Sequence, residues 1–145
     1  VSLSFNDSAK FEDRWVTLKV NEKSPCIFTK GIDKIYVPVR HGEGKFICDS
    51  QETLDEVMDQ NLAAVFYCDE NGQPTMDYPL NPNGATKAIA GICDHSGRIF
   101  GLMPHPEAFT HPTNHPRWTR LPELPAKGEG LAIFENAVRY LEQNL

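Results

Sequence analysis

The stretch KAIAGICDHSGRIFGLMPHPE, Lys87 to Glu107, decides how the rest of the chain is read. Lys87 to Cys93 and Arg98 to Met103 are apolar runs separated by Asp94-His95-Ser96-Gly97, and that short polar connection ending in Gly predicts an antiparallel hairpin. The second run delivers the chain into Met-Pro-His-Pro-Glu. Each proline fixes its own φ and restricts the residue before it, so the histidine between them is aimed. If the segment stays extended, Glu107 points to the same side as His105. Its carboxylate can then hydrogen-bond the ring, set the tautomer and stabilise an imidazolium. That is the base and orienter of a nucleophile triad.

Upstream, Arg14 to Val20 alternates apolar with polar residues at period two, as a strand with one buried face requires, and Cys26 to Phe28 continues the pattern. Lys34 to Val39 predicts another strand, and Pro38 within it, lacking an N–H, assigns an edge position or a strand end. The turn His41-Gly42-Glu43-Gly44 follows, then Lys45 to Ile47. Ser50 predicts an N-cap for a helix carrying Leu54, Val57 and Met58 on its apolar stripe and closed by Asn61. Leu62 to Cys68 is the most strand-like run. Gln73 to Ala85 holds Pro74, Pro79, Pro82 and Gly84 and predicts an ordered loop. After the proline- and glycine-rich segment Leu121 to Gly130, Gly130 to Gln143 predicts a docked closing helix with Leu131, Phe134, Val138 and Leu141 on one face.

With 145 residues, 40% hydrophobic and 23% charged, the chain fits one compact domain or a piece of a larger one. A net charge of -6 without any basic run argues against nucleic acid as the partner. No apolar run approaches the roughly 20 residues of a membrane helix, and the N-terminus lacks the pattern of a secretory signal. It also lacks an initiating Met, as a chain beginning in mid-protein would. Cys26, Cys48, Cys68 and Cys93 include no CxxC pair, and they read as small buried thiols of a reducing, cytoplasmic environment.

His-Pro-Glu after a strand resembles the end of class I glutamine amidotransferase domains, in which Cys, His and Glu form the triad. The match extends through FEDRWVTLKV, PVRHGEGKF, NPNGATKAIAGICDHSGRIFGLMPHPE and the closing helix. Within that class it is similar to the glutaminase part of phosphoribosylformylglycinamidine synthases. The resemblance implies the C-terminal half of a flavodoxin-like α/β amidotransferase domain, with His105 and Glu107 as triad members and glutamine as substrate. It further implies ammonia delivery to a synthetase domain or subunit, where ATP and magnesium would be used in purine biosynthesis. Where the family often has Arg after the triad Glu, this chain has Ala108, followed by the less usual Thr110-His111-Pro112-Thr113-Asn114-His115.

The family's nucleophile sits on a strand-to-helix elbow of GxCxG type, and nothing here matches it. Cys93 ends a hairpin strand with no helix after it whose N-terminus would lower a thiol pKa. The simplest account is that the elbow and most of the oxyanion hole belong to a missing N-terminal half, leaving this portion inactive alone. Half of a parallel sheet would also expose a long edge prone to association. His41 and Glu43 either contact glutamine, line the route of ammonia, or simply make a tight turn. Asn81, Asn83 and Gly84 are placed near the catalytic face by the resemblance, although Asn-Pro-Asn-Gly is also a turn sequence in its own right. Two other readings remain. One is a non-catalytic interaction domain. The other is a metal-binding module using His105, His111 and His115, against which Pro112 and Pro116 prevent one helical face from carrying both later histidines.

Overall fold

A computed structural model describes residues 1–144. Strands β2 (Glu12–Val20), β3 (Lys34–His41), β5 (Ala63–Tyr67), β6 (Ile89–Cys93) and β7 (Phe100–Leu102) form one sheet in the order β3-β2-β5-β6-β7. Every neighbouring pair is antiparallel. β1 (Ser2–Ser4) pairs with β4 (Lys45–Ile47) in a small second sheet. Helices α1 (Gln51–Asp59) and α2 (Leu131–Asn144) complete a mixed α/β fold. The period-two pattern of β2 works as read: Val16, Leu18 and Val20 enter the core with Ile35, Val37 and Val39 of β3 and Val65 and Tyr67 of β5. Burying each such aliphatic side chain stabilises the sheet by about 1.5–3 kcal/mol.

Pro38 sits where its residue type demands. β3 is an edge strand, and Pro38 lies opposite Trp15 with its missing N–H directed away from β2. The hairpin between β6 and β7 also forms, its turn organised by the Asp94 carboxylate, which accepts from the backbone N–H groups of Ser96, Arg98 and Ile99 and from the Ser96 hydroxyl. The hydrogen bond from Ser96 and those from the backbone hold that carboxyl down to about 2. β6 begins at Ile89 rather than Lys87, because Lys87 and Ala88 take positive φ values of 52° and 59° and turn the chain before it extends.

Several expectations are corrected. Cys26 to Phe28 is not strand; Ile27–Thr29 forms a 3-10 turn whose Ile27 N–H donates to Gly97 O at 3.0 Å, tying it to the hairpin. β1 was hidden in the short alternation Val1-Ser2-Leu3-Ser4. Met58 is exposed, whereas Leu54 and Val57 are buried as read. The largest difference concerns α2, which docks through Ile133 and Asn136, while Phe134, Val138 and Leu141 face outward. The reason is polar: Asn136 Nδ2 donates to Phe28 O at 2.9 Å and Lys30 O at 2.8 Å, an anchor that apolar periodicity does not register. The expected parallel sheet is also not found, since the described strands all pair antiparallel, with the eight-residue β3 at one edge and the three-residue β7 at the other.

Ser50 Oγ accepts from Thr53 N at 3.1 Å at the start of α1, with Leu54 and Val57 then reaching the core. Ser50→Ala should lower stability by about 1 kcal/mol. Urea denaturation checks this; an unchanged midpoint would mean that α1 is held by packing alone.

Candidate active site

Hairpin pairing carries on past β7, with Met103 N–H donating to Ala90 O at 3.0 Å. Pro104 is then buried, and the His105 N–H donates to Pro38 O at 2.8 Å on the outer edge of β3. After His105 the chain does not stay extended. Pro106–Ala108 form a 3-10 turn closed by Phe109 N–H to Pro106 O at 3.0 Å. The turn nevertheless brings Glu107 Oε1 to 2.6 Å from His105 Nδ1. A carboxylate accepts, so Nδ1 carries a proton, and in the neutral ring the lone pair is on Nε2. Nε2 takes no hydrogen bond among the described residues. The pair borders a cleft of about 310 Å³ lined also by Phe28, Phe100, Leu102 and Phe134, so one side of the imidazole faces apolar surface.

The HGEG and NPNG segments, far apart in sequence, meet in one buried polar network. His41 Nδ1 lies 3.0 Å from Asn6 Oδ1, and Asn6 Oδ1 also accepts from Gly44 N at 3.1 Å. Asn83 Nδ2 donates to Gly44 O at 2.6 Å and Tyr67 Oη at 2.9 Å, and it stands 3.5 Å from His41 Nε2. His41, Asn6 and Asn83 are nearly inaccessible. Gly44 lies flat on the imidazole, where any Cβ would collide with the ring. Asn81 caps its own loop, accepting from Gly84 N and Ala85 N through Oδ1, and Gly84 adopts φ of 76°. Glu43 is exposed. Burial holds the His41 pKa below its usual range, and a charge on nearby His105 pushes the same way. Sequence reasoning missed Asn6 and Tyr67, whose only signal is their position near these motifs in space.

His111 and His115 organise a loop. His111 Nδ1 accepts from Thr113 N and contacts Thr113 Oγ1 at 2.8 Å. The ring of His115 packs 5.8–5.9 Å from those of Trp15, Tyr36 and Phe109, and its Nδ1 accepts from Arg117 N. Among the described residues no group of three His, Cys, Asp or Glu side chains is arranged to hold a metal ion. Cys93 is buried at the end of β6 with its Sγ 3.4 Å from Ser24 Oγ.

A paired imidazole and carboxylate at the end of a sheet strand, beside a cleft, is an arrangement chemically able to move a proton. Residues 1–141 match the CobB/CobQ-like glutamine amidotransferase domain, and the chain belongs to that family. It is 47% identical over 143 residues to the phosphoribosylformylglycinamidine synthase subunit PurQ of Dehalococcoides mccartyi, covering 99% of this chain and 54% of that one. It is 38% identical over 112 residues to human phosphoribosylformylglycinamidine synthase, covering 76% of this chain and 8% of that protein. The solved structure of PurLQS from Thermotoga maritima superposes with a TM-score of 0.66 at 28% identity, over 97% of this chain and 52% of that chain. The fold is thus the mixed α/β fold of class I, flavodoxin-like amidotransferases. The chain spans about half the length of the curated PurQ relatives it matches.

The His41 network yields a pH prediction. A histidine whose folded pKa lies below the unfolded value of 6.5 stabilises the fold fully above that value, and this contribution is lost as pH falls through the folded pKa. Stability should therefore decline over the range below pH 6.5, and His41→Gln should flatten the decline. Urea midpoints measured across that range for both proteins check it; parallel curves would contradict the assignment.

Proposed function

We propose that this chain is the C-terminal portion of a glutaminase domain that releases ammonia from glutamine for phosphoribosylformylglycinamidine synthesis. On this reading it contributes the histidine and glutamate of a Cys-His-Glu triad, with the cysteine and most of the oxyanion hole supplied by the N-terminal half of the domain. The observation that carries the reading is the His105–Glu107 contact at 2.6 Å beside an open cleft. Family membership and the similarity to PurQ subunits support it. So does the outward apolar stripe of α2: Phe134 borders the same cleft, and Val138 and Leu141 continue from it, offering a surface on which the nucleophile-bearing half can pack.

The chemistry follows from the ring's two nitrogens. Glu107 holds Nδ1–H and balances the charge when Nε2 takes the thiol proton. The thiolate attacks the side-chain carboxamide carbon of glutamine. The resulting oxyanion collapses to a thioester as Nε2 returns the proton to the leaving ammonia. Water then gives a proton to Nε2 and attacks the thioester, releasing glutamate and restoring the thiol. Ammonia passes to a synthetase domain or subunit, where ATP and magnesium act, in the cytoplasm. This chain alone is inactive because the nucleophile lies outside it. His41, Asn81, Asn83 and Gly84 serve the site by fixing the HGEG and NPNG turns from beneath, and Glu43, exposed, is the member of the set free to meet glutamine or line the ammonia route.

In the full-length protein with its synthetase, His105→Ala should reduce glutamine-dependent turnover by about three to six orders of magnitude and leave ammonia-dependent synthesis nearly intact. Equal loss of both activities would make His105 a folding or docking residue. Glu107→Gln should be milder, about tenfold to ten-thousandfold, because the amide still accepts from Nδ1–H but carries no compensating charge. Steady-state rates with each nitrogen source measure both.

A further inference from the structure

The loop between the HPE turn and α2 contains Gly128-Glu129-Gly130, a segment that the triad chemistry leaves unused. Gly128 N–H donates to Thr110 O at 3.0 Å and Gly130 N–H to Phe109 O at 2.9 Å, so the strand of backbone before α2 runs back along the turn that carries Glu107. Both glycines are buried, and neither tolerates a side chain: a Cβ on Gly130 would overlap the carbonyl oxygen of Pro106, and one on Gly128 that of Phe109. Between them, exposed Glu129 reaches the sheet, where its Oε2 accepts the outward N–H of Tyr36 at 2.7 Å. Two residues along the same edge, Pro38 O accepts the His105 N–H at 2.8 Å.

We propose that Gly128-Glu129-Gly130 is a positioning clamp that locks the His105–Glu107 turn to the outer edge of β3 and thereby sets where Nε2 points. The inference rests on His105 acting as the base. Along this edge the clamp takes the Tyr36 N–H and the histidine backbone takes the Pro38 C=O. Phe109, pinned on its far side by the Trp15 ring with centroids 5.2 Å apart, is held from the near side by Gly130. The turn is therefore gripped at Pro106, Phe109 and Thr110, while Glu107 projects outward between these points. Displacing a catalytic base by about 1 Å costs on the order of a hundredfold in rate, so a clamp of this kind acts on turnover far more than on substrate affinity.

The test uses the full-length protein with its synthetase partner and four variants, Gly130→Ala, Glu129→Ala, Glu129→Gln and His105→Ala, each assayed with glutamine and with ammonia. Gly130→Ala should lower glutamine-dependent kcat roughly a hundredfold with KM within about twofold and ammonia-dependent synthesis unchanged. Glu129→Ala should lower it about tenfold and shift the acid limb of the glutamine pH profile, since a loosened turn changes the His105–Glu107 pair. Glu129→Gln should restore most of the loss, because its amide oxygen still accepts from Tyr36 N–H. If His105→Ala abolishes glutamine use while both Glu129 variants keep the parental kcat and pH profile, the clamp is wrong and the base assignment stands. If His105→Ala retains glutamine use, the base assignment itself fails. Should Gly130→Ala lose both activities through misfolding, the exposed Glu129 pair decides alone: alanine loss with glutamine rescue upholds the clamp, and no loss overturns it.

Discussion

The hydrogen bond from His105 N–H to Pro38 O, 2.8 Å across the outer edge of β3, joins the two parts of this molecule that matter to one another. An edge strand ordinarily leaves its outward groups to water or to another chain. Here Pro38 removes one donor from that edge and leaves its carbonyl as the acceptor for the residue that carries the imidazole. A backbone bond fixes the Cα of His105, the flanking prolines fix its direction, and Glu107 fixes the ring. Each step removes a degree of freedom from the imidazole.

The rest of the fold supports that edge. β3 is paired along eight residue positions with β2, whose inward residues are the centre of the core. At the end of β3 the chain must turn, and the turn is held from below by Asn6, His41, Asn83 and Tyr67 rather than by apolar contacts. Burial of the Tyr67 phenol pushes its pKa well up, so it stays a neutral partner for the Asn83 amide at any working pH. Every buried side-chain nitrogen and oxygen among the described residues is hydrogen-bonded, which is the condition for a polar network to specify one arrangement instead of weakening the core. α2 is likewise seated by a polar side chain, Asn136, which leaves its most apolar stripe facing outward beside the cleft.

The sequence was legible where local rules decide the outcome. Pro38 announced an edge, Ser50 a helix start, and Asp94 to Gly97 a hairpin turn, because a missing donor, a side-chain acceptor and a short polar connection act within a few residues of themselves. The His105–Glu107 pair was legible for the same reason, although through a 3-10 turn instead of an extended segment. What was not legible depended on partners distant in sequence. The seating of α2 rests on a bond from Asn136 to carbonyls more than a hundred residues earlier, and hydrophobic periodicity assigned the opposite face. Asn6 lies 35 residues from His41, and nothing in its own neighbourhood marks it as the member that ties the HGEG turn. Glu129 lies in the proline- and glycine-rich loop, and its partner, the Tyr36 N–H, is 93 residues earlier.

In the proposed function, Nε2 of His105 is aimed at a nucleophile supplied from elsewhere in the whole domain. A crystal structure of the full-length protein, treated with an electrophilic glutamine analogue that labels its reactive cysteine, measures this directly. The labelled sulfur should lie on the α2 side of the cleft, within about 4 Å of His105 Nε2, with Nδ1 still bonded to Glu107. A labelled cysteine remote from His105, or a histidine other than His105 beside that sulfur, would contradict it.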